Sequence, residues 1–185
     1  MKFTEIFKRD RIWTVSNLLS ISRLFIGLLL YYFIVSRHTY IAIVLVLIGV
    51  ITDYADGWVA RRRGETSELG KILDPVADKV AIALGSVGLY QAYGLPLWIV
   101  VIIISRDILI LIGSIFLIDK VKGIVASEMP GKIAVTVVSV LLLSYLFEWL
   151  AIQQIFLYLS LAAIIFSFLF YVIKFMKIIA SKNEQ

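Results

Sequence analysis

The sequence predicts an all-α integral membrane protein, a bundle of six transmembrane helices. Of its 185 residues, 61% are hydrophobic and only 17% are charged, whereas a soluble domain is about half apolar and about a quarter charged. The apolar residues form blocks close to the ~20 residues that cross a bilayer. This composition excludes a soluble globular protein and a disordered chain, and the absence of Cys excludes a disulfide scaffold. We expect residues 1–185 to form a single membrane domain.

The first predicted element is an amphipathic helix at residues 1–14, lying on the membrane surface with Phe3, Phe7 and Trp13 near one face. Six spans follow, at about 15–35, 40–60, 72–93, 95–117, 130–150 and 154–174. Helices are expected because backbone groups in lipid must pair internally, and the blocks are too uniformly apolar for barrel strands. The first span is expected to stay uncleaved, since it is too long for a signal peptide and no small-residue cleavage site follows. The three prolines fall near the starts of predicted spans, where proline is tolerated.

The basic residues predict that both termini face the cytoplasm. Lys and Arg concentrate in the N-terminal segment, the second-to-third and fourth-to-fifth connections and the tail, whereas the opposite connections hold only Arg37. The net charge of +5 then indicates attraction to anionic lipid head groups, not to nucleic acid. We expect a plasma-membrane protein with its active site on the cytoplasmic side. Gly85 and Gly88 predict a close helix contact, within the chain or in a homodimer.

Four carboxylates lie where the second span ends and the third begins. Asp53 and Asp56 are spaced i, i+3, and Asp74 and Asp78 are spaced i, i+4, so each pair shares a helix face. The short connection makes the two helices antiparallel neighbours, which predicts that all four converge. Ionised groups within a span are costly unless paired, hydrated or bound to metal. Oxygen ligands without His or Cys suit Mg²⁺, Mn²⁺ or Ca²⁺.

Small residues extend the same face of the second span. Gly57 and Ala60 leave a slot beside the carboxylates, and Arg61 follows with a guanidinium that suits phosphate oxygens. Metals, a slot and an arginine together predict a pyrophosphate site. The alternative is that the acids are helix ends facing water and the arginines only set topology, but four acids with ordered spacing favour the site. An EF-hand is excluded by the spacing.

These residues resemble the signature of the CDP-alcohol phosphatidyltransferases at all eight of its positions, in the pattern Asp53-x2-Asp56-Gly57-x2-Ala60-Arg61-x8-Gly70-x3-Asp74-x3-Asp78. Asn17, Ser20 and Arg23 are also similar to the family's first span, with Ser in place of Thr. The resemblance implies transfer of a phosphatidyl group from a CDP-linked lipid such as CDP-diacylglycerol to an alcohol, with release of CMP. It also implies two divalent cations, Mg²⁺ or Mn²⁺, and a homodimer.

The resemblance assigns roles to residues of this chain. The metal ligands are Asp53, Asp56, Asp74 and Asp78, and Asp78 is also the catalytic base. The CDP-lipid is bound by Asn17, Ser20, Asp56, Gly57, Ala60, Arg61, Gly70 and Asp74. The acceptor is bound by Arg23, Lys79, Arg106, Ser127 and Lys132.

The acceptor is the least determined part of this prediction. Arg106-Asp107 and Gly131-Lys132 resemble acceptor-phosphate positions, and the chain is most like the phosphatidylglycerophosphate synthases, which makes glycerol 3-phosphate the first expectation. The second Lys typical of that group is missing, however, and Arg106-Asp107 is also similar to cardiolipin synthases. Inositol phosphate, phosphatidylglycerol and serine therefore stay open. Arg106 and Lys132 are also explained by snorkelling towards the interface.

Two other classes compete with the transferase. A UbiA-type prenyltransferase also binds a diphosphate through Asp-rich motifs, but it generally has more spans and two separated acidic motifs. An intramembrane cation carrier needs polar residues across the bilayer, whereas the outer halves of these spans are almost wholly apolar.

Overall fold

The computed structural model describes residues 15–63, 68–121 and 129–182, and every regular element within these ranges is an α-helix. The helices are α1 Val15–Val35, α2 Thr39–Arg63, α3 Glu68–Tyr93, α4 Leu97–Val121, α5 Met129–Leu146 and α6 Leu150–Lys182. The predicted all-α class is confirmed for these ranges. The first predicted span coincides with α1, and α3 ends at Tyr93 as predicted. The other helix ends differ from the predicted ones by one to four residues, except that α6 continues to Lys182 and not to 174. The predicted surface helix at 1–14 lies outside the described residues.

The tight turns at 36–38, 94–96 and 147–149 each contain a residue in the left-handed backbone region. These residues are Arg37 (φ 57°), Gly94 (φ 74°) and Glu148 (φ 54°). At the end of α5 the amide of Trp149 donates to the carbonyl of Ser144 at 2.9 Å, and that of Glu148 donates to Tyr145 at 3.1 Å. This is a Schellman motif. It ends α5 before the predicted boundary at 150, because the left-handed residue reverses the chain and lets α6 begin at once.

The described residues up to Ala92 form one compact unit, in which α1 contacts both α2 and α3. Helices α1 and α2 pack as an antiparallel hairpin. The direction of α3 follows from two side-chain pairs, Arg23 with Asp78 and Tyr31 with Gln91. The residue numbers rise together along both helices, so α1 and α3 run parallel.

Two glycines allow α1 and α3 to approach closely. A Cβ on Gly27 would lie 3.3 Å from the Cα of Ala81, and a Cβ on Gly88 would lie 3.0 Å from Cγ2 of Ile34. Gly88 therefore takes part in a close helix contact within the chain, as small residues do in membrane bundles. Pro75 lies inside α3, two turns from its start at Glu68, and not in the first turn as predicted, because the helix begins earlier than expected.

The described residues from Tyr93 onwards form the second unit, in which α6 contacts both α4 and α5. Helices α5 and α6 are an antiparallel hairpin. The Gln153 amide donates to the Ser144 carbonyl at 3.3 Å, and the Ser160 hydroxyl donates to the Val137 carbonyl at 3.3 Å. Going from the first pair to the second, the residue number falls along α5 and rises along α6. The two helices are therefore paired as in a continuous antiparallel hairpin.

The distribution of polar side chains is that of a protein in lipid. Arg23, Arg106 and Asp107 are nearly inaccessible, whereas Phe25, Phe166 and Tyr158 are exposed by 64%, 64% and 66%. A soluble protein shows the opposite arrangement. Met129–Leu146 and Leu150–Met176 are long and apolar enough to cross a bilayer, and shorter apolar helical stretches run over Ser20–Val35 and Thr39–Thr52. The number of spans and the side on which the termini lie stay predictions.

Candidate active site

The eight signature positions lie on two consecutive helices. Helix α2 carries Asp53, Asp56, Gly57, Ala60 and Arg61, and helix α3 carries Gly70, Asp74 and Asp78. Both acidic pairs thus lie on continuous helix, about one turn apart within each pair. Residues 64–67, between the two helices, are outside the described part of the chain. Of the eight side chains, only that of Asp78 is described, so the convergence of the four carboxylates stays a prediction.

The structure brings two predicted site residues into direct contact. A terminal nitrogen of Arg23 on α1 donates to Oδ1 of Asp78 on α3 at 2.5 Å. The Arg23 side chain is only 6% exposed and that of Asp78 is 47% exposed. A charge-assisted pair of this kind holds both groups in a defined orientation. The close contact of Gly27 with Ala81 lies one turn further along both helices and fixes the separation at the pair.

Other predicted site residues in the first unit lie on the same two helices. Ser20 is fully buried on α1, about one turn before Arg23. Lys79 follows Asp78 on α3 and is half-buried. Asn17 is on α1, but its side chain is not among those described. Ser20 and Arg23 are thus spaced i, i+3 on one face of α1, and Arg23 of this face contacts α3.

The second unit contains a buried polar cluster, Arg106, Asp107 and Ser167. One terminal nitrogen of Arg106 donates to Oδ1 of Asp107 at 2.7 Å, and the other donates to Oγ of Ser167 on α6 at 2.7 Å. The three residues are 7%, 6% and 0% exposed. Because Arg106 lies deep among the helices, simple snorkelling to the interface does not describe it. Ser167 was not predicted as a site residue.

The remaining acceptor residues differ in their surroundings. Lys132 is on the first turn of α5 and its side chain is exposed. Ser127 falls in 122–128 and lies outside the described residues. Lys132 is thus exposed, whereas Arg106 is buried.

The predicted metal ligands fit a hard divalent cation by their chemistry. All four are carboxylates, and oxygen ligands suit Mg²⁺ or Mn²⁺. Among the side chains that the structure describes, no three metal-binding groups come together. Three of the four predicted ligands are not among those side chains.

The acidic residues lie where one helix ends and the next begins. In a helical membrane protein, this arrangement is typical of enzymes that act on diphosphate-linked substrates. The comparisons with known proteins name the class. The family model for CDP-alcohol phosphatidyltransferase matches residues 13–167. The chain therefore belongs to the CDP-alcohol phosphatidyltransferase family, and it is a transferase of phospholipid biosynthesis. The resemblance in the signature is confirmed. Members of the family generally depend on divalent cations.

Named relatives show which activities occur close to this sequence. A CDP-diacylglycerol–glycerol-3-phosphate 3-phosphatidyltransferase of Aquifex aeolicus is 39% identical over 132 residues, 70% of this chain and 74% of the relative. A cardiolipin synthase (CMP-forming) of Streptomyces coelicolor is 37% identical over 111 residues, 56% of this chain and 51% of that protein. A Bacillus subtilis enzyme with the same name as the Aquifex protein is 36% identical over 90 residues, 49% of this chain and 46% of the relative. No solved structure matches the chain.

Proposed function

We propose that this protein transfers the phosphatidyl group of CDP-diacylglycerol to glycerol 3-phosphate, forming phosphatidylglycerophosphate and releasing CMP. The observation that carries the proposal is the family match over residues 13–167, which contains the complete acidic signature. The choice of acceptor is supported by the Aquifex relative, whose aligned part covers 74% of its length.

The carboxylates Asp53, Asp56, Asp74 and Asp78 are proposed to hold two divalent cations, Mg²⁺ or Mn²⁺. Such cations, when bound, neutralise charge on the diphosphate. The nucleotide is proposed to enter beside Gly57 and Ala60, with Arg61 on its phosphates. Asn17, Ser20 and Gly70 complete the proposed CDP-lipid site.

Asp78 is proposed to accept the proton of the acceptor hydroxyl. The hydroxyl oxygen then attacks the phosphorus that carries the lipid, a new P–O bond forms, and the bond to CMP breaks. Direct displacement needs positioning and charge stabilisation more than a covalent nucleophile, and the chain has no Cys. The contact of Arg23 with Asp78 supports this role, because a guanidinium donating to Oδ1 holds the carboxylate in a defined orientation.

The acceptor is proposed to be bound by Arg23, Lys79, Arg106, Ser127 and Lys132. The exposed ammonium of Lys132 and the buried guanidinium of Arg106 are cations of the kinds that bind phosphate. A role in binding the acceptor predicts that substitution raises the KM for the acceptor without raising that for CDP-diacylglycerol.

A cardiolipin synthase is the second candidate. The Streptomyces relative carries that name, and Arg106-Asp107 is similar to such enzymes. The acceptor would then be phosphatidylglycerol, with the same displacement and the same release of CMP.

The test is CMP release by the purified protein with CDP-diacylglycerol and Mg²⁺ or Mn²⁺. Glycerol 3-phosphate, phosphatidylglycerol, inositol phosphate, inositol and serine are assayed in parallel. Release with glycerol 3-phosphate, lost in Asp78→Asn, supports the proposal, and release with phosphatidylglycerol alone replaces it by the second candidate. Glu148→Gln is the matched control, since it neutralises an exposed carboxylate in the α5–α6 turn and is expected to leave the rate unchanged.

The membrane arrangement is proposed to have six spans in the plasma membrane, both termini and the active site on the cytoplasmic side, and a homodimeric assembly. Because the chain has no Cys, single-cysteine variants test the orientation without background. A membrane-impermeant maleimide is expected to label His38→Cys in intact cells and Ser181→Cys only after permeabilisation. The reverse pattern would contradict the orientation. Cross-linking in native membranes tests the homodimer.

A further inference from the structure

The Arg106 guanidinium is held from two sides, by its neighbour Asp107 and by Ser167, to which no role has been assigned. It donates to Asp107 on its own helix and to Ser167 on α6, each at 2.7 Å. Ser167 is fully buried, and Arg106 is 7% exposed. A side chain fixed at both terminal nitrogens has one orientation, and this orientation depends on a hydroxyl from a different helix.

The third nitrogen of the guanidinium has no hydrogen-bond partner in the described part of the chain. Arg106 Nε is buried, and no acceptor among the described residues receives its N–H. Buried donors in native proteins are nearly always paired, so an unpaired one requires an explanation. An anionic oxygen is the strongest partner for a guanidinium N–H. A phosphorylated ligand therefore suits the donor that Asp107 and Ser167 leave available.

Close packing fixes the register that brings Ser167 to Arg106. Two turns further along α4, a Cβ on Gly113 would lie 2.5 Å from Cε2 of Phe175 on α6. The pairs Arg106 with Ser167 and Gly113 with Phe175 have rising numbers on both helices, so α4 and α6 run parallel. Because Gly113 has no side chain, the Phe175 ring lies directly against α4, and this contact accompanies the register in which Ser167 meets Arg106.

We propose that Ser167 is a positioning residue for the acceptor. With Asp107 it holds the two terminal nitrogens of Arg106, so that the Nε–H is presented to a phosphate oxygen of the acceptor alcohol. This inference rests on the proposed function, in which Arg106 binds the acceptor.

The test uses the purified full-length enzyme with CDP-diacylglycerol and the acceptor that supports CMP release. Ser167→Ala is expected to raise the KM for the acceptor about 10-fold, the scale of one lost hydrogen bond to a charged group. The KM for CDP-diacylglycerol and kcat are expected to stay within about 2-fold, the scatter of such contributions. Ser167→Thr keeps the hydroxyl and is expected to restore the acceptor KM, whereas Ser167→Cys keeps the volume without a strong acceptor and is expected to behave like Ser167→Ala.

Ser160→Ala is the matched control. Ser160 is also fully buried on α6, but its hydroxyl donates to the backbone of Val137 and not to Arg106. It is expected to leave the acceptor KM unchanged. In an Arg106→Gln background, Ser167→Ala is expected to add no further effect, because its role acts through the arginine.

Two results would overturn the positioning role. One is a Ser167→Ala or Ser167→Cys enzyme with an unchanged acceptor KM while Arg106→Gln raises it. The other is an equal change in the KM values of donor and acceptor, which indicates a purely structural serine. A different result would show that Arg106 does not bind the acceptor, as the proposed function requires: Arg106→Gln would then leave the acceptor KM at its wild-type value.

Discussion

The contact between α1 and α3 gives the sharpest prediction, because one glycine sets how closely the two helices approach. In Gly27→Val the new Cβ would lie 3.3 Å from the Cα of Ala81 and 3.6 Å from Cδ1 of Leu84. The backbone atom cannot rotate away, so α3 must move. Overpacking of this kind costs about 1–3 kcal/mol. Since the Arg23–Asp78 pair lies one turn away, the displacement also separates the proposed base from its partner.

Gly49→Val is the matched control, because a Cβ there meets nothing within 4 Å. Both variants gain the same small increment of helix propensity, so their difference isolates the packing. The midpoint of thermal unfolding in detergent is expected to be about 2–10 °C lower for Gly27→Val than for Gly49→Val. CMP release by folded Gly27→Val is expected to fall below that of Gly49→Val, by less than the about 10²-fold that a misplacement near 1 Å can cause, because a contact of 3.3 Å requires a smaller shift. Equal midpoints and equal rates for the two variants would refute this account of the α1–α3 contact.

Three further outcomes are expected. Arg23→Gln should lower CMP release by about 10²-fold and Arg23→Lys should retain part of it, measured as initial rates. A wild-type rate for Arg23→Gln would show that the pair with Asp78 is dispensable. Removal of divalent cations with EDTA should stop CMP release, and added Mg²⁺ or Mn²⁺ should restore it; undiminished release after EDTA would contradict the metal site. The free energy of unfolding of Glu148→Val should be about 1–2 kcal/mol lower than that of Glu148→Gly. The reason is that Glu148 has φ 54°, and a left-handed backbone disfavours β-branched side chains. Equal stability would contradict that turn geometry.

The helical class and the approximate helix positions are predictable from the sequence because lipid leaves few choices. Long apolar blocks in a bilayer form helices, and α1 begins and ends where the composition indicates. Boundaries elsewhere shift because polar residues also continue a helix. Helix α3 begins at Glu68 and contains Pro75, whereas hydropathy alone starts the span later. Glu148 ends α5 although no glycine or proline marks the turn, so local sequence gave no signal for it.

The candidate site, like the fold, is only partly predictable from the sequence. The spacing within each acidic pair, Asp53 with Asp56 and Asp74 with Asp78, is sequence information, because residues on one helix keep fixed relations whatever surrounds them. The pairing of Arg23 with Asp78 depends on the parallel contact of α1 with α3, and that of Arg106 with Ser167 depends on the contact of α4 with α6. Neither helix pairing follows from periodicity in a single sequence. Ser167 sits among Phe and Leu residues with no motif around it, so only the three-dimensional structure identifies it.

The buried charges explain why each unit needs its close helix contacts. A guanidinium within a membrane is costly unless a counter-charge and hydrogen bonds accompany it. In the first unit Arg23 meets Asp78 across α1 and α3, and in the second Arg106 meets Asp107 and Ser167. Gly27 lets α1 and α3 approach closely beside the first pair, and Gly113 makes room for the Phe175 ring between α4 and α6. An enzyme that binds anionic substrates at a membrane needs such cations before the substrates arrive, and the glycine contacts allow the helices to hold them.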